Sequence, residues 1–433
     1  MLAYYHTFGC KLNFAETASI AAQLAEKGFE QIGKNGVPDL IVVNTCSVTE
    51  EADRKCRRAI RSFNKRWPRA AIVVTGCYAQ LKAQEAAALP GVRLVAGTDR
   101  KMDIVQFADS VLAENATVIE AGPWLDIREF RPSCSRGDRT RFFLKVQDGC
   151  DYHCTYCTIP MARGRSRSGN ISDMVALAEN AAAQGGKEIV LTGVNVGDFG
   201  KGRNDNFFDL IKALDTVDGI ERYRISSIEP NLLTDEIIEW VARDSRAFMP
   251  HFHIPLQAGS DEVLRLMRRR YDTVLFRHKI QTVREAIPDA FIGVDLIVGA
   301  RGETNELFDL SRRFVESLDI SRLHVFPYSE RPSTRALDID HVVNAHERHR
   351  RAESMISLSD EKWKSFAERF IGSIRPVLLE HPRSTKPMAG FTDNYLRTEV
   401  PNAPAELDNS IAAVRITGIN PEKETLTGEL LDI

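Results

Sequence analysis

The 433-residue chain lacks any apolar run approaching the roughly 18 residues that cross a bilayer, which excludes a helical membrane span from the sequence. Met1 to Phe8 shows no basic start leading into a long apolar stretch. No signal peptide is expected, and a cytoplasmic chain with no membrane partner is. An excess of one charge is also lacking. The formal net charge is −3, so a wholly basic surface is excluded and any contact with a polyanion must come from a local patch. Cysteine is not scarce, with eight residues. In a cytoplasmic protein of this size a disulfide framework is a poor expectation, and metal binding or catalysis a better one. The length calls for two or three domains.

Apolar runs alternate with amphipathic stretches over the first hundred residues. Strands are predicted at Ala3–Phe8, Leu40–Val43, Ala70–Thr75 and Arg93–Ala96, and helices over Thr17–Lys27, Glu50–Trp67 and Lys82–Leu89. This pattern implies an α/β domain with a parallel sheet covered on both faces. Between Ala121 and Arg141 the rhythm stops; Gly122, Pro123, Pro132 and Gly137 predict a linker. The alternation then resumes. Strands are predicted at Phe143–Gln147, Glu188–Thr192, Arg222–Ser226, His253–Pro255, Ala290–Val298 and Arg322–Pro327, with helices between them. Six repeats in one span predict a barrel or partial barrel. Asp340–Ile371 reads as a charged helix or helix pair. Short β-rich runs at Val377–Glu380, Leu396–Val400, Ala412–Ile419 and Thr425–Leu431 then predict a small all-β domain. The expected division is 1–125, 136–370 and 374–433.

Cys10, Cys46 and Cys77 lie far apart, yet each follows a predicted strand. Parallel strands end at one sheet edge, where ligand sites of α/β folds lie, so these thiols are expected to converge. Gly9 and Gly76 suit tight turns and close backbone approach to a ligand. The alternative is that strand-end cysteines are small buried hydrophobes. Cys56, inside a helix, and Cys134, in the linker, are read that way. A second triplet is local: Gly149-Cys150-Asp151-Tyr152-His153-Cys154-Thr155-Tyr156-Cys157. Three thiolates in one loop can hold a cluster or a metal. A closed zinc site needs a fourth ligand, for which His153 is the nearby candidate. A four-iron cluster on three cysteines would leave one iron open to another ligand, and the spacing favours this reading while leaving zinc open.

Cys-x3-Cys-x2-Cys after the first strand of a β/α barrel, with Tyr156 before the last cysteine, resembles the signature of radical S-adenosylmethionine enzymes. With the N-terminal triplet in the forms GCKLN, NTCSVT and TGC, the whole chain resembles the methylthiotransferases that modify tRNA or a ribosomal protein. Further matching segments are ARGRSRS (162–168), HIPLQAGSD (253–261), DLIVGARGET (295–304) and HVFPYSERPST (324–334). Two departures stand out: Ala300-Arg301 where the family usually shows an aromatic and a proline, and Ser333 where relatives often carry glycine.

The resemblance implies an N-terminal methylthiotransferase domain, a radical barrel and a C-terminal TRAM domain. It implies that Cys150, Cys154 and Cys157 hold a catalytic four-iron cluster that binds and cleaves S-adenosylmethionine. Cys10, Cys46 and Cys77 would hold an auxiliary four-iron cluster that carries the sulfur. Tyr156, Thr192, Gly193, Asn195, Ser227, Glu229, Gln257 and Asp295 would contribute to the cofactor site, as residues near C-terminal strand ends of a barrel; the alternative for each polar one is an ordinary cap or turn. An electron donor such as flavodoxin or ferredoxin is implied as a partner.

GCKLN together with ARGRSRS most resembles the subfamily acting on N6-threonylcarbamoyladenosine beside the tRNA anticodon, with isopentenyladenosine or a ribosomal protein as the alternative substrates. Physical support for RNA is mixed. Arg163, Arg165 and Arg167 form one basic group, Arg265, Arg268, Arg269 and Arg270 a second, and Arg348, Arg350 and Arg351 a third; such groups can neutralise phosphates or merely solvate a helix face. From Arg375 onward there are six basic and nine acidic residues, so this region does not announce an RNA module. A grip on the tRNA anticodon stem-loop would need one face carrying Arg383, Lys386 or Arg397, or stacking on Phe391 and Tyr395.

Overall fold

A computed structural model describes residues 1–114, 116–135, 140–380 and 387–431. The N-terminal unit contains β1 (Leu2–Thr7), α1 (Lys11–Glu26), β2 (Glu30–Gln31), β3 (Leu40–Thr45), α2 (Glu50–Arg66), β4 (Ala71–Gly76), α3 (Cys77–Leu81), α4 (Ala83–Ala87), β5 (Val92–Ala96), α5 (Ile104–Ala113) and β6 (Val118–Glu120). Its six strands pair in parallel in the order β2-β1-β3-β4-β5-β6. β3 and β4 are buried on both faces, as their continuous apolar runs require. The first helix starts six residues before the predicted Thr17, because Leu12 and Ala15 already extend the buried stripe of Ile20 and Leu24. Likewise Cys77 opens a short helix of its own.

The predicted linker is more structured than its composition implies. It contains β7 (Ser133–Cys134), which pairs antiparallel with β8 (Arg141–Lys145) as an edge strand. After β9 (Gln147–Asp148), α6 (Ile159–Arg163) and β10 (Arg167–Ser168) comes a regular alternation: α7 (Ile171–Ala183), β11 (Glu188–Thr192), α8 (Phe207–Asp215), β12 (Arg222–Ile225), α9 (Asp235–Arg243), β13 (His251–His253), α10 (Asp261–Leu266), α11 (Thr273–Ala286), β14 (Phe291–Val298), α12 (Asn305–Glu316) and β15 (Arg322–Pro327). β8, β11 and β12 form one parallel ladder and β13, β14 and β15 another. Bridges Tyr223↔Phe248 and Ser227↔His253 join the ladders into an open barrel of six parallel strands. One large apolar core fills the space between these strands and their helices. The charged segment after β15 is a single helix, α13 (Ala345–Glu368).

The last unit is a closed five-stranded barrel of β16 (Ile374–Glu380), β17 (Met388–Thr392), β18 (Arg397–Val400), β19 (Ile411–Asn420) and β20 (Thr425–Leu430). The sequence reading misses β17, whose Met-Ala-Gly start lacks β-branched residues.

This small barrel caps the N-terminal end of the open one. Arg222 and Arg224 alternate along β12 and so share a face. Arg222 donates to the carbonyls of Phe391 and Pro376, and Arg224 to those of Asp393 and Thr392, at 2.7–2.9 Å. Beneath them Glu188 of β11 sits 2.9 Å from Arg224 Nε, both side chains wholly buried. Removing one member of such a pair strands the other charge. Arg224→Met should therefore cost about 3–5 kcal/mol of unfolding free energy in denaturant titration, and Glu188→Gln added to it should recover part of that loss.

Candidate active site

The N-terminal triplet is built at the C-terminal ends of three adjacent strands. Cys10 ends the turn after β1 and caps α1, Cys46 follows β3, and Cys77 follows β4. Asn13 ties the loops together, its Nδ2 donating to the Phe8 carbonyl at 2.7 Å and the Thr45 carbonyl at 3.1 Å. Gly76 has φ +98°, and a Cβ there would stand 2.3 Å from the Thr45 carbonyl oxygen. Gly9 has φ +92°, and its Cβ would meet Cys46 Cβ at 2.8 Å. Only glycine lets these strand ends approach. Cys56 donates its S–H to the Cys46 carbonyl at 3.6 Å, so it braces the loop from below.

The second triplet sits at the C-terminal end of β8 and β9, the opposite end of the open barrel from the cap. Gly149, at φ +68°, has the Arg165 carbonyl 2.1 Å from where a Cβ would lie. Backbone N–H groups already point at the sulfurs: Tyr152 N at 3.3 Å from Cys150 Sγ and Ile159 N at 3.4 Å from Cys157 Sγ. Arg269 Nη1 donates to Cys154 Sγ at 3.0 Å and its Nη2 to Glu229.

Burial pushes the Cys46 thiol up to about 12, with Cys77 adding to the shift, and the Cys157 thiol likewise to about 12, with Cys154 adding. Burial also raises Cys77 and Cys154, against the pull of Arg163 and Lys101 on the first and Arg269 on the second. Buried, mutually repelling thiolates need bound cationic charge, and metal binding displaces their protons. Among the described residues no three His, Cys, Asp or Glu side chains stand at the spacing of a single metal ion. Two sets of three thiols, each with N–H or guanidinium donors around it, fit an iron–sulfur cluster.

Between the triplets lies a buried ionic network. Arg163 is 1% exposed; it donates to Glu16 at 3.1 Å, Asp148 at 2.9 Å and Asn13 at 2.6 Å. Lys145 joins Glu16 and Asp148 at 2.9 and 2.8 Å, Lys101 joins Glu16, and Arg167 joins Asp148 at 3.0 Å. Burial opposes ionisation of Glu16, but Arg163, Lys101 and Lys145 together hold its carboxyl far below the usual range. Arg163 therefore belongs to the interior rather than to a basic surface loop, a correction to the sequence reading. Arg167 is half-buried in the same network, and only Arg165 of that group is exposed. Arg269 and Arg351 are also interior, paired with Glu229 and Glu303. Arg397 is exposed, whereas Arg383 and Lys386 lie outside the described residues.

The remaining predicted residues divide. Gln147 Oε1 accepts from the backbone N–H of Val194 and Asn195 at 2.9 and 2.8 Å, which shapes the turn after Thr192 and Gly193. Asn195 is 2% exposed and neither polar atom of its amide has a partner among the described residues, an unusual state for a buried amide. The Tyr156 hydroxyl lies 3.5 Å from Arg269 Nη1. Ser227 bridges β12 to β13 through its backbone. Gln257 has φ +67°, a strained position for a non-glycine residue. Asp295 sits mid-strand and contacts His253 at 2.8 Å.

The sequence reading missed Arg331 and marked Arg301 only as a departure from the family pattern. Arg331 is 3% exposed and donates to Ser47 at 2.9 Å and Asp53 at 2.8 Å, fastening the segment after β15 to the Cys46 loop. Arg301 donates to the Leu337 carbonyl at 2.6 Å and pairs with Glu330 at 2.9 Å, so it pins that same segment. Ser333 has φ +64°, the conformation that glycine adopts most easily.

A model of the radical S-adenosylmethionine superfamily matches residues 144–315, and one described as uncharacterized protein family UPF0004 matches residues 3–97. The threonylcarbamoyladenosine tRNA methylthiotransferase MtaB of Bacillus subtilis is 37% identical over 91% of this chain and 89% of its own. The protein of that name in Thermotoga maritima is 36% identical over 91% and 90%. Among solved structures, the radical S-adenosylmethionine methyltransferase TsrM of Kitasatospora setae matches with a TM-score of 0.54 at 14% identity, over 75% of this chain and 72% of that one, a likeness of fold. The chain belongs to the radical S-adenosylmethionine methylthiotransferase family. Membership brings S-adenosylmethionine and a four-iron cluster.

Gly76→Ala should lower the iron taken up on anaerobic reconstitution, because the Cys46 and Cys77 loops can no longer meet. Gly122→Ala, whose Cβ would touch nothing within 4 Å, should leave iron content unchanged.

Proposed function

We propose that the chain transfers a methylthio group to C2 of N6-threonylcarbamoyladenosine at position 37 of tRNA. The similarity over nine-tenths of the chain to proteins named for that nucleoside carries the reading. Clusters and S-adenosylmethionine, when bound, supply the carbon radical and the sulfur. Cys150, Cys154 and Cys157 hold the cluster that binds S-adenosylmethionine, and Cys10, Cys46 and Cys77 hold a second, auxiliary one.

The chain's own residues bind, orient and enclose. Asn195 and the Glu229–Arg269 pair offer polar groups to the amino and carboxylate ends of S-adenosylmethionine, and Tyr156 packs beside them. Thr192, Gly193, Ser227, Gln257 and Asp295 complete that wall. The Arg163 network seals the seam between the two cysteine sites, and exclusion of water protects a reactive radical. Residues 1–125, 136–370 and 374–433 act as methylthiotransferase, radical and TRAM domains. Arg165 and Arg397, both exposed, are the tRNA-facing cations of this reading, and a flavodoxin or ferredoxin delivers electrons. Deleting residues 374–433 would unpair buried Arg222 and Arg224, so surface substitutions test tRNA contact more cleanly.

Mass spectrometry of tRNA nucleosides from a strain lacking the gene should show loss of 2-methylthio-threonylcarbamoyladenosine; unchanged levels would sink the assignment. Cys154→Ala should abolish reductive cleavage of S-adenosylmethionine. Cys46→Ala should keep that cleavage and lose thiomethylation, and methylthio product from Cys46→Ala would overturn the role given to the N-terminal triplet.

A further inference from the structure

A cavity of about 480 Å³ lies where the three units meet, within the size range of small-ligand sites. The N-terminal unit contributes Lys11, the residue after Cys10. The open barrel contributes His251 and His324, and the small barrel Phe391, Tyr395 and Arg397. Aromatic rings stand beside cations in its wall: Phe391 and Tyr395 stack on each other at 4.9 Å, and His251 lies 4.1 Å from the Tyr395 ring.

The cations of the cavity are not equivalent. Arg397 sits 3.5 Å from Glu380, and the other arginine and lysine from the barrels are paired too, Arg322 with Glu424 at 2.5 Å and Lys423 with Glu399 at 3.3 Å. Lys11 is half-buried and has no hydrogen bond or ion pair among the described residues. An ammonium lining a cavity with no ion-pair partner is free to take an anionic ligand. His251 lines the same space. His251 is 5% exposed, and its Nδ1 lacks a hydrogen-bond partner among the described residues. Burial, then Arg224 and Lys11, hold the His251 pKa well below its ordinary value, so the imidazole is neutral and able to hydrogen-bond an uncharged group.

We infer that this cavity receives the modified base and that Lys11 binds the carboxylate of its threonylcarbamoyl substituent, making Lys11 a specificity-determining residue. This rests on the function proposed above. The substituent carries a carboxylate and a hydroxyl, and an isopentenyl substituent carries neither. An ammonium on the residue next to Cys10 therefore accepts the first and gains nothing from the second.

The test uses the full chain and three anticodon stem-loops: one with threonylcarbamoyladenosine at position 37, one with its carboxylate converted to a carboxamide, and one unmodified. Binding is read by fluorescence anisotropy, with and without reconstituted iron, so that cluster loss cannot imitate the effect. The parent protein should bind the carboxylate form at least about tenfold tighter than the carboxamide, as a charge-assisted contact predicts. Lys11→Gln should bring that ratio close to one, and Lys11→Arg should retain most of it. An unchanged ratio in Lys11→Gln overturns the inference. A parent that forms methylthio product on the first RNA but does not distinguish carboxylate from carboxamide overturns it too, while leaving the proposed function standing. A parent that forms no methylthio product on that RNA overturns both.

Discussion

Two buried carboxylates, Glu16 and Asp148, hold Arg163, Lys101, Lys145 and Arg167 together in the seam between the N-terminal sheet and the open barrel. Glu16 and Lys101 come from one unit, the other four from the second. Glu16 and Lys101 pair within the N-terminal unit, but the second unit sets three cations against Asp148 alone, so burying its half without Glu16 would leave uncompensated positive charge in a dry interior. The network therefore fixes which faces meet. It also fixes where the cysteines stand, since Asn13 connects Arg163 to the Cys10 and Cys46 loops, and Asp148 immediately precedes Gly149-Cys150. Arg331 repeats the arrangement on the far side, joining the end of the open barrel to Ser47 and Asp53.

Much of this was legible in the sequence because it rests on local pattern. Buried parallel strands such as Leu40–Thr45 and Ala71–Gly76 read as continuous apolar runs, and cysteines directly after them had to share an edge. What stayed hidden depends on partners distant in the chain. Arg163 in ARGRSRS looks like a phosphate-binding arginine until Glu16, 147 residues earlier, is brought beside it. The same holds for Arg269, whose neighbours in sequence are basic but whose neighbours in space are Glu229 and Cys154. Lone glycines carried more information than basic clusters: Gly9, Gly76 and Gly149 all mark places where a Cβ would collide with the site's own backbone or with Cys46.

The two ends of the open barrel are finished differently. At the C-terminal end, loops bring thiols, Asn195 and the Glu229–Arg269 pair to a face lined with unsatisfied or charged groups. At the N-terminal end, the guanidinium groups of Arg222 and Arg224 donate to carbonyls of the small barrel, a closure in which main-chain oxygens join the single carboxylate of Glu188. The thiols are thus concentrated at one end, while the other joins the two barrels and leaves a cavity between them.

That closure sets an order of assembly on the ribosome. β12 is synthesised some 150 residues before the strands whose carbonyls receive its arginines. Until the last strands emerge, Glu188 alone faces Arg224, and the barrel floor stays wet. Cysteines at the opposite end can be translated long before the floor dries, so a nascent chain carries all eight thiols while its interior is still open to solvent.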